Sequence, residues 1–207
     1  MRQYVCLGIA AIAALTAALS PARAYEPEDL LQLQTTGSCP GCDLSRANLQ
    51  AQDLSGADLS EANLSGANLA LALLREANLQ GANLNQTNFF RATLSKANLS
   101  DAILSDANLT RANLSRAVLV RSLLDSADLS QANLRWAKLD RAVLREANLR
   151  GAVLVAASLT GTDLRAANLS GANLYQSDLS RSRTRQTVFD GALMPNNERY
   201  EPSGLRF

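Results

Sequence analysis

The sequence contains no histidine. That removes the commonest general base and the commonest metal ligand together, and any Ser-His-Asp arrangement with them. Aromatic residues make up 4% of the 207 positions, which leaves few platforms for stacking bases. Only Lys96 and Lys138 could serve a serine–lysine pair, and neither sits in a recognisable motif. Neither sign of charge forms a long block. Lys+Arg is 20 against Asp+Glu 19, a net of +1, so there is no basic arm to hold nucleic acid. Cysteine is confined to Cys6, Cys39 and Cys42, too few for a zinc site without histidine. After residue 24 no apolar run is long enough to span a membrane. These absences leave no catalytic, cofactor-binding or metal-ligating set to nominate, and the reading is of a non-enzymatic protein.

The first 24 residues read as a secretory signal. A short n-region with Arg2 precedes the apolar stretch VCLGIAAIAALTAALS and then PARAY. Ala22-Arg23-Ala24 fits small-x-small cleavage, which places the cut between Ala24 and Tyr25. Removing Arg2 and Arg23 leaves 18 basic and 19 acidic groups, a net of −1. The expected mature protein is exported and free of the membrane, in a compartment where disulfides persist.

What the chain does have is a comb of leucines. From Leu44 to Leu179 every fifth position is occupied: 28 slots, 27 of them leucine and the other Phe89. Two before each slot stands Ala in 22 cases, and one before stands Asn or Asp in 19. An α-helix cannot use this period, because five residues advance about 500° and spread the leucines over every face. A flat strand cannot either, because five is odd and the side chains would alternate. A chain that turns a corner every five residues can keep each leucine inside. Four such sides close a square coil of 20 residues, and stacked coils pair their backbones at about 4.8 Å.

The unit Ala62-Asn63-Leu64-Ser65-Gly66, repeated in this way, resembles the pentapeptide-repeat proteins, over about residues 42–181. The resemblance implies an all-β solenoid, a right-handed quadrilateral β-helix. Its 28 units would make about seven 20-residue coils, about 34 Å of column. Leucine fills the axis and alanine sits beside it near a corner. Gly56, Gly66, Gly81, Gly151, Gly161 and Gly171 all fall two after a leucine, the place for a turn residue with positive φ.

A solenoid needs its ends closed. Residues 25–41 form the expected N-terminal cap, with a short helix in EPEDLLQLQTTG whose Leu30, Leu31 and Leu33 would cover the first coil. Residues 182–207 form the expected C-terminal cap and tail, with Phe189, Leu193 and Met194 plugging the last coil and MPNN turning the chain. Cys39-Pro40-Gly41-Cys42 has two readings. It is a local disulfide in a Pro-Gly turn that pins cap to coil, or a thiol redox pair, although the βαβ context of such pairs is missing. Cys42 also takes an alanine slot, so its sulfur is expected in the core.

Residues 20 apart share a column. Asn48, Asn68, Asn88, Asn108, Asp128, Asn148 and Asn168 make a polar ladder. A second column reads Asp43, Asn63, Asn83, then Ile103, Leu123, Val143, then Asp163. Three consecutive aliphatics where Asn or Asp is the rule mark a possible partner face. Leu71, Leu73 and Phe90 form a smaller cluster. Arg91 stacks with Arg111, Arg121 with Arg141, and Arg116 with Trp136 as a cation–π pair.

Three roles follow. The first is a rigid structural or protein-interaction scaffold with an unidentified protein partner. The second, implied by the resemblance, is a DNA mimic that modulates a topoisomerase; near-neutral charge and a signal peptide argue against it. The third is a redox protein resting on CPGC. The first is adopted. Exported family members of this design are found in cyanobacteria, which implies the periplasm or thylakoid lumen.

Overall fold

The computed structural model describes residues 25–200. The expected signal segment and its cleavage point before Tyr25 lie outside these residues, apart from Tyr25 itself, as does the tail from 201.

The chain begins with one helix, α1, Pro27–Thr36. Proline in its first turn needs no hydrogen-bonded N–H there, and Glu28 and Asp29 face the positive end of the helix dipole. Gly37 stops it in the left-handed conformation at φ 69°, donating its N–H to Leu33 O. Leu33 is buried against the first coil and Leu30 packs beside it. Leu31 does not join them. It is 59% exposed, because about 100° of helical rotation per residue carries it off the face that Leu30 and Leu33 share.

From Ser38 onward, single residues pair in parallel with residues 20 further on: Ser38 with Asp58, Asp43 with Asn63, Asn48 with Asn68, Asp53 with Leu73, and so on. The bridges fall into four columns, one for each side expected of a 20-residue turn. Each side contributes one bridging residue between two corners.

The five-residue unit accounts for all of its own N–H groups. In the unit 62–66, Ala62 donates across the corner to Leu59 O, Asn63 back to Cys42 O, Leu64 forward to Asn83 O, and Gly66 forward to Asn85 O. The fifth donor, Ser65 N–H, goes to the side-chain oxygen of Asn63. This is the physical basis of the Asn/Asp preference: the side chain caps the one amide that the backbone lattice leaves over. The same carboxamide donates to the coil before, Asn63 Nδ2 to Asp43 Oδ1 at 3.1 Å.

Every fifth residue from Gly41 to Gly191 has a positive φ, between 54° and 70°. The glycines named from the sequence are among them, yet most of these corners carry side chains, including Trp136 and Arg46. The corner residue is held there by its inter-coil bond, as in Arg46 N–H to Ser65 O at 2.8 Å, which offsets the strain of the left-handed region.

The leucines line the axis, from Leu44 to Leu174 with at most 8% exposure, and Phe89 fits the same axis. Where the alanine slots between Cys42 and Ser177 hold a hydroxyl, three of the four find a carbonyl: Thr87 to Leu64 O, Thr162 to Leu139 O, Ser122 to Leu119 O, while the buried Ser177 Oγ has no partner.

The coil geometry runs on past 181, with Arg183, Val188 and Leu193 bridging Asp163, Asn168 and Asn173. Backbone pairing needs no leucine, so the fading comb does not end the solenoid. Residues 194–197 then turn the chain back, and Tyr200 exchanges hydrogen bonds with Ala192 and Gly191. Its ring lies 5.5 Å from that of Phe189, which is buried. Met194 packs on the core, whereas Leu193 does not act as a plug: it occupies the outward Asn/Asp slot.

Candidate functional site

Among the described residues, each outward wall of the column stacks side chains 20 apart in sequence. On the column 43–183 the polar ladder runs Asp43–Asn63–Asn83, with Asn83 Nδ2 donating to Asn63 Oδ1. At Ile103 it stops. Ile103 pairs with Leu123, and Leu123 with Val143, so three aliphatic side chains stack in register. Ile103 and Leu123 are each 38% exposed, and Val143 is half-buried. None of them can cap the amide two residues on, so each gives up the local hydrogen bond that an Asn or Asp in this slot makes, as at Asn63 and Asn83. The polar column at 48–168 behaves as a solvated ladder, with Asn68, Asn88 and Asn108 each donating to the residue one coil before.

The smaller cluster is also visible: Leu71 and Leu73 are exposed beside half-buried Phe90. The Arg116 guanidinium lies 5.2 Å from the centre of the Trp136 ring, and Trp136 is 51% exposed. The other arginine stacks resolve into ordinary pairing. Arg121 forms a two-pronged bond with Asp101, whose carboxyl it holds below the usual carboxylate range. Arg111 donates to Gln131.

One charged cluster was not nominated from the sequence. The column reverts at Asp163, which is 6% exposed. Arg165 grips it with two bonds at 2.8 and 2.7 Å, and Arg145 adds one at 2.9 Å. Arg183, next in the column, is 4.0 Å away. The Arg165 bonds come first among the causes that hold the Asp163 carboxyl far below its ordinary range, against the opposing effect of burial. The signal was present as Arg145, Arg165 and Arg185 spaced by 20, the same rule that revealed the aliphatic column.

At the N-terminal end Cys39 and Cys42 are joined as a disulfide, with Cα atoms 5.4 Å apart. Both are buried, and Cys39 Sγ lies 3.1 Å from the Asp29 carbonyl oxygen. Asp29 brings a carboxylate near the two sulfurs, but that carboxylate accepts the Asp43 N–H at 2.7 Å, which ties α1 to the first coil. Bonded to each other, the sulfurs are not thiolate ligands.

No helix among the described residues is long and apolar enough to cross a membrane. No curated protein matches the chain. Among solved structures it is similar to HetL, a pentapeptide repeat protein of Nostoc sp. strain PCC 7120 involved in heterocyst differentiation regulation. Identity is 34% over 79% of this chain and 81% of that one, with a TM-score of 0.42. It is similar to Rfr23 of Cyanothece 51142 at 27% identity over 79% and 98% of the two chains, TM-score 0.44. A protein of the Arabidopsis thaliana thylakoid lumen matches at 28% over 57% and 73%, TM-score 0.38. The family model for pentapeptide repeats matches eight copies across 42–72, 67–106, 102–141, 127–165, 142–181 and 167–194. With three quarters of its length accounted for in this way, the chain belongs to the pentapeptide repeat family, whose fold is of the right-handed β-helix type.

Proposed function

We propose that this chain is an exported, non-enzymatic scaffold: a quadrilateral column of about seven 20-residue coils that presents Ile103, Leu123 and Val143 to a protein partner. The observation that carries this reading is the aliphatic column itself. The family pattern asks for Asn or Asp there, and three coils in succession forgo the local hydrogen bond to expose apolar surface instead. Exposed contiguous apolar surface of this kind marks interaction sites.

The redox alternative is weakened by burial, since Cys39 has no exposed surface and Cys42 only 7%, which leaves a partner thiol little access to either sulfur. The topoisomerase alternative calls for an acidic rod, and residues 25–199 hold eighteen acidic and seventeen basic side chains, a net of −1 that does not supply one. Export, to the periplasm or the thylakoid lumen, rests on the leader read from the first 24 residues.

The test is an affinity capture from the exported compartment with wild type and Leu123→Asp side by side. Leu123 is on the surface, so the variant should keep the wild-type circular dichroism spectrum and melting temperature. A partner held by wild type and lost by Leu123→Asp is the expected outcome. A partner held equally by both would remove this face from consideration.

A further inference from the structure

We propose that the corner built by Arg165, Arg185 and Gln186, at the C-terminal end of the face that carries Leu123, binds an oxyanion of the phosphate or sulfate class. Arg145, Arg165 and Arg185 occupy the same corner of three successive coils, about 4.8 Å apart along the column. Together with Glu146, Ala166 and Gln186 they line one open groove of about 240 Å³.

The charges in this groove do not balance along its length. Asp163 is used up by Arg165 and Arg145. Glu146 lines the groove beside Arg145, and Asp125 acts on Arg145 from the coil before. Asp125 and Glu146 therefore lie toward the N-terminal side, and Asp163, level with Arg165, is already bound. The last coil brings Arg183 and Arg185 to this face and corner and no acid, and among the described residues Arg185 has no ion pair. Like charges one coil apart repel, and a bound anion is the way to relieve that.

The geometry is also prepared for one. Buried Asp163 holds Nε and Nη2 of Arg165, so this guanidinium is fixed before any ligand arrives. Its remaining nitrogen, the Arg185 fork and the Gln186 amide supply donors matched to a tetrahedral oxyanion. Between Glu146 and Gln186 the corner column holds only Ala166, whose short side chain leaves a notch between the longer ones. The floor of the site is thus small and its walls are basic.

Titration of the full chain with sodium phosphate at constant ionic strength, followed by arginine and glutamine side-chain NMR signals, tests this. Saturable shifts at Arg165, Arg185 and Gln186 are expected. Arg185→Gln should weaken the affinity about tenfold, the loss of one charge-assisted hydrogen bond. Arg91→Gln, on another corner, should change nothing. Co-sedimentation with phosphatidylglycerol vesicles separates the two sources of the anion. Vesicle binding lost in Arg185→Gln assigns a lipid headgroup, and phosphate binding without vesicle binding assigns a free anion. Linear, unsaturable shifts, or equal affinity in wild type and Arg185→Gln, would overturn the proposal.

Discussion

At the scale of single residues, each slot of the repeat has one physical job. The leucine slot carries the core. Leu124 has no exposed surface, and its neighbours in the axis are Leu104 and Leu144, one coil away on either side. Leu124→Arg would place an unpaired charge among them, a loss of several kcal/mol. Cooperative unfolding followed by circular dichroism should collapse in this variant; an unchanged melting temperature would contradict an axis filled by leucine. Asp163 is the other residue with a large local effect. Its carboxyl is held far below its ordinary range by Arg165 and Arg145, so its stabilisation is fully present above the unfolded-state value near 4 and is lost as pH falls below it. Asp163→Asn should cost about 1–2 kcal/mol at pH 7, discounted because the arginines are half exposed. The gap between the urea midpoints of variant and wild type should begin to narrow as pH falls below about 4 and be clearly smaller at pH 2–3 than at pH 7, without closing, because the folded-state carboxyl titrates lower still. Midpoints that differ equally at both pH values would show that packing, and not the charge, is responsible.

At the scale of elements, the N-terminal cap is held by three kinds of contact: Leu33 in the core, Asp29 on the Asp43 amide, and the Cys39–Cys42 disulfide. The pair spans three residues of sequence, and closing so small a loop contributes about 2 kcal/mol in the chain-entropy picture. Reductant should therefore lower the melting temperature of wild type by a few degrees while leaving Cys42→Ala, which fits the alanine slot, unaffected. Reductant-insensitive melting of wild type would mean that α1 is secured by packing and hydrogen bonds alone. The two ends also show where local pattern stops being informative. Leu31 lies next to Leu30 in sequence, yet only the rotation of α1 decides that it faces outward. Leu193 belongs to an apolar trio by composition, yet its register in the five-residue frame turns it away from the axis.

At the scale of the whole molecule, the solenoid converts spacing along the chain into columns on a wall. Residues 20 apart become neighbours, which is how three dispersed aliphatics become one apolar column and three dispersed arginines become one corner. Charge is segregated along the same axis: residues 25–134 hold twelve acidic and seven basic side chains, the reverse of the bias over 135–199. The apolar column lies just before the basic end. The capture experiment with Leu123→Asp and the phosphate titration with Arg185→Gln probe separate places on this wall, so either can fail without the other.

A period of five, with leucine in phase over 28 slots, was enough to exclude helix and flat strand and to call for a coil of five-residue sides, and the family resemblance implied that the sides are four. The polar ladder, the positive φ at the glycine corners and the MPNN turn were legible for the same reason: each is a short-range consequence of the repeat. The tertiary structure alone decided what the repeat leaves free. It showed that the Asn/Asp side chain caps the fifth amide, and that non-glycine corners also adopt positive φ because the lattice holds them. It carried the coil beyond residue 181, where backbone pairing continues without leucine. It also gathered Arg145, Arg165 and Arg183 around one buried carboxylate. Those outcomes depend on groups a full coil apart coming within hydrogen-bond reach, and that proximity exists only once the coils are stacked.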